Sequence, residues 1–316
     1  MLVPVLLFLL GFLLLIKGGD WFVDGATGIA HRFHLPELLI GATVVSIGTT
    51  LPEVMVSAQA AFQHNSGISY GNAIGSVICN TSLIAALTVA IRPGLVNKKS
   101  LRLPVVSFFL AAIVYSVIAY ATGNFERWQG IVLLCGFTLY MVVTVLHMKK
   151  HPEDANPEAD EEEKPKEMQL WQELLFLVVG AAAIAVGARL LVDNGTLIAE
   201  ALGVPSSVIG LTMVALGTSL PELVTSVTAA RKGNTEVAIG NVVGSSILNV
   251  LFVLGMSGIV APIPFAPNLL LDGVVTLAAT ALVWVLGVRR RSLGRGSGVA
   301  MLASYAAYMA HVINFA

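Results

Sequence analysis

Shifted by 169 residues, the chain lies on itself without a gap. Asp24 meets Asp193, Pro36 meets Pro205 and Gly41 meets Gly210. Gly48-Thr49-Thr50-Leu51-Pro52-Glu53 meets Gly217-Thr218-Ser219-Leu220-Pro221-Glu222. The match runs on through Asn65 with Asn234, Gly71-Asn72 with Gly240-Asn241, Gly75-Ser76 with Gly244-Ser245, and Asn80 with Asn249. A self-similarity of this length constrains the fold before any local signal does.

The repeated units are membrane units. Of the 316 residues, 56% are hydrophobic and 12% charged, about half the charge of an ordinary soluble domain. A bilayer crossing takes about 20 apolar residues. Ten such segments are expected, at roughly 2–30, 37–62, 68–91, 103–121, 127–147, 170–200, 204–230, 235–260, 268–288 and 297–315. They lack the alternation of barrel strands, so the fold class is an all-α membrane protein. Residues 1–16 read as the start of a first span, with no basic stretch before them to suggest a cleaved leader.

Each repeat holds five spans, residues 1–148 and 169–316. Five is odd, so the second repeat enters the bilayer from the opposite side. The two are then inverted, related by a pseudo-twofold axis in the membrane plane. Transporters built this way place their site near the midplane, between discontinuous helices.

Lysine and arginine give the orientation. Of 18 such residues, 15 fall in one alternating set of loops, including Arg32, Arg92, Lys98, Lys149, Arg231, Lys232 and Arg289 to Arg291. The opposite loops hold Arg127. Basic loops face the cytoplasm, which puts both termini outside in a plasma (inner) membrane protein. The connection at 149–168 is then cytoplasmic. It carries Pro152, Pro157, Pro165 and the run from Asp160 to Glu163, a composition that cannot bury a core. Neither cysteine, Cys79 or Cys135, has the spacing of a metal site or a disulfide framework.

The matched hexapeptides carry the chemistry. Each puts a carboxylate inside an apolar span, a costly placement that marks an ion or substrate path. Pro52 and Pro221 remove a backbone donor and crowd the carbonyls of Gly48 and Gly217. Both helices are expected to open there, with freed carbonyls turned to a cation. Thr49, Thr50, Thr218 and Ser219 add hydroxyl oxygens. Ser76 and Asn80 are one helical turn apart, as are Ser245 and Asn249, so each pair shares a helix face. The donor set is all oxygen, which fits calcium or sodium rather than zinc or copper. Two glutamates match the charge of one calcium ion. Asp20, Asp24 and Asp193 lie toward helix ends, and Arg189 sits one turn from Asp193, a placement that suggests structural pairing.

These motifs resemble the two alpha repeats of the cation/calcium exchanger superfamily, in its sodium/calcium exchanger branch of prokaryotic type. Gly-Asn-Ala-Ile-Gly-Ser at 71–76 and Gly-Asn-Val-Val-Gly-Ser at 240–245 extend the likeness. The resemblance implies a secondary antiporter exchanging sodium for calcium by alternating access. It implies ligand roles for Glu53, Thr49, Thr50, Ser76 and Asn80, and for Glu222, Thr218, Ser219, Ser245 and Asn249. Backbone carbonyls of Ser46 and Ala215 would serve flanking sodium sites. Thr50 stands where the motif usually has serine. Asn249 stands where potassium-dependent relatives have aspartate, which argues against potassium cotransport. The expected partners are sodium, calcium and the lipid bilayer, with no cofactor beyond the transported ions, no enzymatic role and no nucleic acid. The sequence leaves the oligomeric state open. A calcium/proton antiporter is the alternative, because paired buried glutamates can hold protons. An intramembrane hydrolase lacks a His or Ser constellation beside the carboxylates, and a passive channel does not call for inverted repeats.

Overall fold

The computed structural model describes residues 2–33, 35, 37–95, 98–122, 124–150, 168–203, 215–264, 278, 281 and 292–315. Nearly all of the expected ninth span and of the acidic connection, and the start of the seventh span, lie outside the described residues.

The described chain is helical. Helix α1 is Leu2–Arg32. Helix α2 (37–62) joins Glu37–Ile40 and Ser46–Phe62 through a π-helical turn at Gly41–Val45. Helix α3 (66–91) joins Ser66–Ile78 and Ala85–Ile91 through a second π-helical turn at Cys79–Ile84. Helices α4 (Lys98–Thr122), α5 (Arg127–Lys150) and α6 (Leu170–Ala201) follow. A single turn at Ala215–Gly217 precedes α7, Leu220–Arg231. Helix α8 (235–260) joins Thr235–Leu248 and Leu254–Val260 through a third π-helical turn at Asn249–Val253. Helix α9 is Arg295–Phe315.

Two short antiparallel ladders link the halves. Strand β1 (Gly94–Leu95) pairs with β4 (Ser292–Leu293), and β2 (Asn124–Phe125) pairs with β3 (Ile263–Pro264). Gly94 and Ile263 are 169 positions apart, as are Asn124 and Leu293. A rotation that exchanges the repeats therefore exchanges one ladder for the other. Arg92 and Lys98 flank β1 and Arg295 follows β4, so that ladder lies on the basic side of the protein.

Six of the described helical segments are long and apolar enough to cross a bilayer, and burial sorts them. The most apolar window of the 235–260 span is 94% buried, whereas those of α1, α5 and α6 are 22% buried. Leu2, Leu13, Leu139 and Val178 stand exposed on these outer helices, as lipid-facing positions do. Helix α8 forms the centre, against α2, α3 and α7. One apolar cluster, with Tyr70, Phe108, Tyr115, Ile247 and Leu254, fills the side toward α4 and α5. Another, with Phe22, Val23, Ile184 and Val237, seats α1 and α6 on the core.

Helices α1 and α6 run antiparallel in close contact. A Cβ at Gly11 would lie 2.8 Å from the carbonyl oxygen of Gly187, and one at Gly187 would lie 2.8 Å from that of Gly11. Small residues are what allow backbones to approach this closely in a membrane. At the linker end, Arg32 forms a two-pronged ion pair with the buried Glu173, through Nε to Oε2 at 2.8 Å and Nη2 to Oε1 at 3.0 Å. Helix α1 also meets the core at its basic end, where Lys232 Nζ donates to Asp24 Oδ1 at 2.6 Å and to the Asp20 carbonyl at 2.9 Å. Arg189 and Asp193 form the expected pair along α6 at 3.5 Å.

The helices open not at both prolines, as expected from the sequence, but at the second alone. Helix α2 continues from Ser46 through Pro52 to Phe62, with Gly48 inside it. The irregularity lies one turn earlier, in the π-helical segment at Gly41–Val45. In the second repeat the regular helix does break, at Thr218–Ser219, and α7 starts with Pro221 in its first turn. Proline is well tolerated there, since its missing N–H would have had no helical partner.

Candidate functional site

The two carboxylates expected to share a site lie together in the core. Glu53 on α2 and Glu222 on α7 are both fully buried and face each other. Around them, Ser46, Thr50, Asn80, Ser245 and Asn249 are 0% exposed, and Ser76, Ser219 and Thr49 at most 2%. Thr218 is partly buried. Ala215 opens the single helical turn before the break, and Ser46 follows the π-helical turn of α2.

Contacts across the repeat boundary hold this set together. Thr50 Oγ1 donates to Glu222 Oε1 at 3.0 Å. Ser219 Oγ, at the same motif position in the other repeat, donates to Ser76 Oγ at 3.1 Å. Asn80 Nδ2 donates to Ser245 Oγ at 3.0 Å. The crossing of α2 with α8 permits this approach. Gly41 and Gly240 sit face to face, and a Cβ on either would collide with the opposite backbone.

What remains at the centre is a group of oxygens. Both carboxylate oxygens of Glu53, Oε2 of Glu222, and the Oδ1 atoms of Asn80 and Asn249 are buried with no hydrogen-bond donor. The amide nitrogens are already engaged, Asn80 with Ser245 Oγ and Asn249 with the Ser245 carbonyl at 2.9 Å. Each asparagine therefore offers the site an acceptor only. A buried acceptor left unpaired costs about 1–3 kcal/mol, more when it is charged. Five together make a strong case for a cation that supplies the missing positive charge. Asn80 lies within one π-helical turn and Asn249 begins another. Such bulges recur at functional sites, because they misalign backbone groups that a regular helix would pair.

The described residues bring no group of three or more His, Cys, Asp or Glu side chains together. The donor set is hard oxygen with two formal charges, which suits calcium or sodium and gives soft metals no thiolate or imidazole. Cys79 is buried and Cys135 exposed, both as free thiols.

A further set of residues shapes the site and was not assigned a role from the sequence. Asn72 Nδ2 donates to the Glu53 carbonyl at 3.2 Å and to Ser57 Oγ at 2.8 Å. Asn241 Nδ2 does the same in the second repeat, to the Glu222 carbonyl at 3.4 Å and to Ser226 Oγ at 3.0 Å. A signal was present: serine follows each glutamate by four residues, at 57 and 226, on the same helical face.

A crevice lined by Phe22, Gly48, Thr49, Pro52, Ala181, Ile184, Ala185 and Pro221 lies between α1, α6 and the motif segments. It sets the two long outer helices directly beside the site.

Comparison with known proteins agrees with this geometry. The family model described as sodium/calcium exchanger protein matches residues 3–146 and 173–314. An uncharacterized membrane protein of Methanocaldococcus jannaschii is 38% identical over 298 residues, covering 94% of each chain. The sodium/calcium exchanger MaX1 of Methanosarcina acetivorans is 31% identical, covering 97% of each. Among solved structures, the sodium-calcium exchanger NCX_Mj soaked with sodium and no calcium superposes with a TM-score of 0.85, at 36% identity and 98% coverage of both chains.

Proposed function

Because this chain belongs to the sodium/calcium exchanger family, we propose that it is a secondary antiporter exchanging sodium for calcium by alternating access. The observation that carries the reading is the group of buried oxygens without donors on Glu53, Glu222, Asn80 and Asn249. One calcium ion is shared by the two carboxylates and neutralises both. Thr50, Ser76, Ser219 and Ser245 complete its surroundings. Thr49 and Thr218, with the backbone carbonyls of Ser46 and Ala215, serve sodium at flanking positions. Sodium then competes with calcium because both draw on the same two charges.

The division between a buried centre and two outer helices supports the transport step. Helices α1 and α6 contact each other through glycines, line the crevice beside the site and carry no ligand. In this reading they slide together over a core that keeps its ligands in place. In this reading the acidic connection is cytoplasmic and both termini lie outside the plasma membrane, supported by the rule that basic loops face the cytoplasm.

The test is calcium-45 uptake into vesicles containing the purified protein. Uptake should follow an outward sodium gradient, and a pH gradient of equal size should not replace it. Uptake driven by the pH gradient alone would identify a calcium/proton antiporter.

A further inference from the structure

Asn72 and Asn241 each have an assigned orientation. The Nδ2 group of Asn72 faces the Glu53 carbonyl, which can only accept, so the amide cannot be the other way round. Its Oδ1 is thereby turned to Thr218, whose Oγ1 lies 2.9 Å away and must donate. The second repeat has the same arrangement. Asn241 Nδ2 faces the Glu222 carbonyl, and Thr49 Oγ1 donates to Asn241 Oδ1 at 3.2 Å. Each asparagine therefore joins the glutamate of its own repeat to the motif threonine of the other.

A threonine hydroxyl has one proton and two lone pairs. With the proton on the opposite asparagine, only lone pairs remain for anything else beside it. A hydroxyl free to rotate would spend part of its time with its proton toward a cation, where the dipole repels.

We propose that Asn72 and Asn241 are positioning residues that hold the Thr218 and Thr49 hydroxyls with their oxygens presented to the transported cations, and so set cation affinity. This rests on the reading of both threonines as ligands.

The two sites differ in a way that separates this role from a merely structural one. Thr49 has a second acceptor, the Ser46 carbonyl at 3.3 Å. Thr218 has Asn72 as its one acceptor among the described residues. Loss of Asn72 should therefore disturb cation affinity more than loss of Asn241. Burial ranks them the other way: Asn241 is fully buried and Asn72 only partly. A structural role would make Asn241 the more damaging loss.

The experiment compares Asn72→Ala, Asn241→Ala, Thr218→Val and the double variant Asn72→Ala/Thr218→Val in vesicles. The half-saturating concentrations of sodium and calcium are measured for each. Residues that orient a metal ligand typically alter affinity by about 10- to 100-fold. Asn72→Ala should raise the half-saturating concentration of at least one cation by that amount, and Asn241→Ala by less. In the Thr218→Val background, Asn72→Ala should have little left to remove. If Thr218→Val weakens binding and Asn72→Ala then adds its full effect, the positioning role is wrong and the ligand reading stands. If Thr218→Val changes neither concentration, the ligand reading of Thr218 fails and this inference falls with it. A larger affinity loss in Asn241→Ala would also overturn the proposal. Should Asn72→Ala not fold, the cycle on Asn241 and Thr49 applies the same criteria.

Discussion

Thr50 on α2 donates its hydroxyl proton to Oε1 of Glu222 on α7, 3.0 Å away and 172 residues further along the chain. The other oxygen of that carboxylate has no donor, although it is buried. One side of Glu222 is thus held by protein while the other has no donor, as the proposed cation site requires. Glu53, the matching residue, has neither oxygen held in this way. The pseudo-symmetric pair is therefore chemically uneven.

Removing that donor tests the difference. Thr50→Val keeps the volume and loses one hydrogen bond to a charged group, worth about 1.5–3 kcal/mol. The half-saturating calcium concentration should rise by at least about tenfold. Ser219→Ala, which loses a bond to Ser76 Oγ rather than to a carboxylate, should cost less. Calcium-45 exchange over a concentration series separates the two.

Much of this site was legible from the sequence, because a carboxylate or amide inside an apolar span is costly and needs a partner. Glu53, Glu222, Ser76, Asn80, Ser245 and Asn249 all lie where the repeat put them. The helix irregularities were only half legible. A proline and a glycine four residues apart read as a break in both copies. In the first copy α2 continues through Pro52 and the π-helical turn at Gly41–Val45 accommodates the irregularity. An inserted π-helical residue has no composition of its own, since it depends on how two helices cross. Asn72 and Asn241 were visible as repeat matches, but their role rests on which atoms they meet in the other repeat. That is a tertiary fact.

Asn249 bears on ion selectivity. Its amide presents one neutral oxygen to the site, where an aspartate would add a full charge in a medium of low dielectric. Glu53 and Glu222 supply the formal charge at the centre. Sodium-driven calcium uptake should proceed at the same rate with and without potassium when the membrane potential is clamped. A strict requirement for potassium would show that another group supplies a third charge.

The proposed sliding of α1 has a direct handle at its basic end. Lys232 lies beside Asp24 and Asp20, so this contact joins the outer helix to the core. Asp24→Cys with Lys232→Cys, joined by a short bifunctional reagent, should stop exchange while calcium still binds from one face. The uncross-linked double variant should exchange, because an exposed ion pair of this kind contributes about 0–1 kcal/mol. Undiminished exchange after complete cross-linking would contradict a moving α1.

The proposed topology rests on the basic loops. Asp160→Cys in the acidic connection should react with an impermeant thiol reagent only after cells are opened, whereas Asn314→Cys should react in intact cells. Labelling of position 160 from outside would reverse the orientation.

Glu53 and Glu222 are proposed to hold one calcium ion between them. Glu53→Gln and Glu222→Gln preserve shape and remove one charge each from a site with two. The measurement is sodium-gradient-driven calcium-45 uptake in vesicles, alongside the melting temperature of each purified variant. Both variants should stay folded, melt at or above the wild-type temperature without cations, and transport no calcium. A folded Glu222→Gln or Glu53→Gln protein with wild-type calcium flux would contradict the shared site.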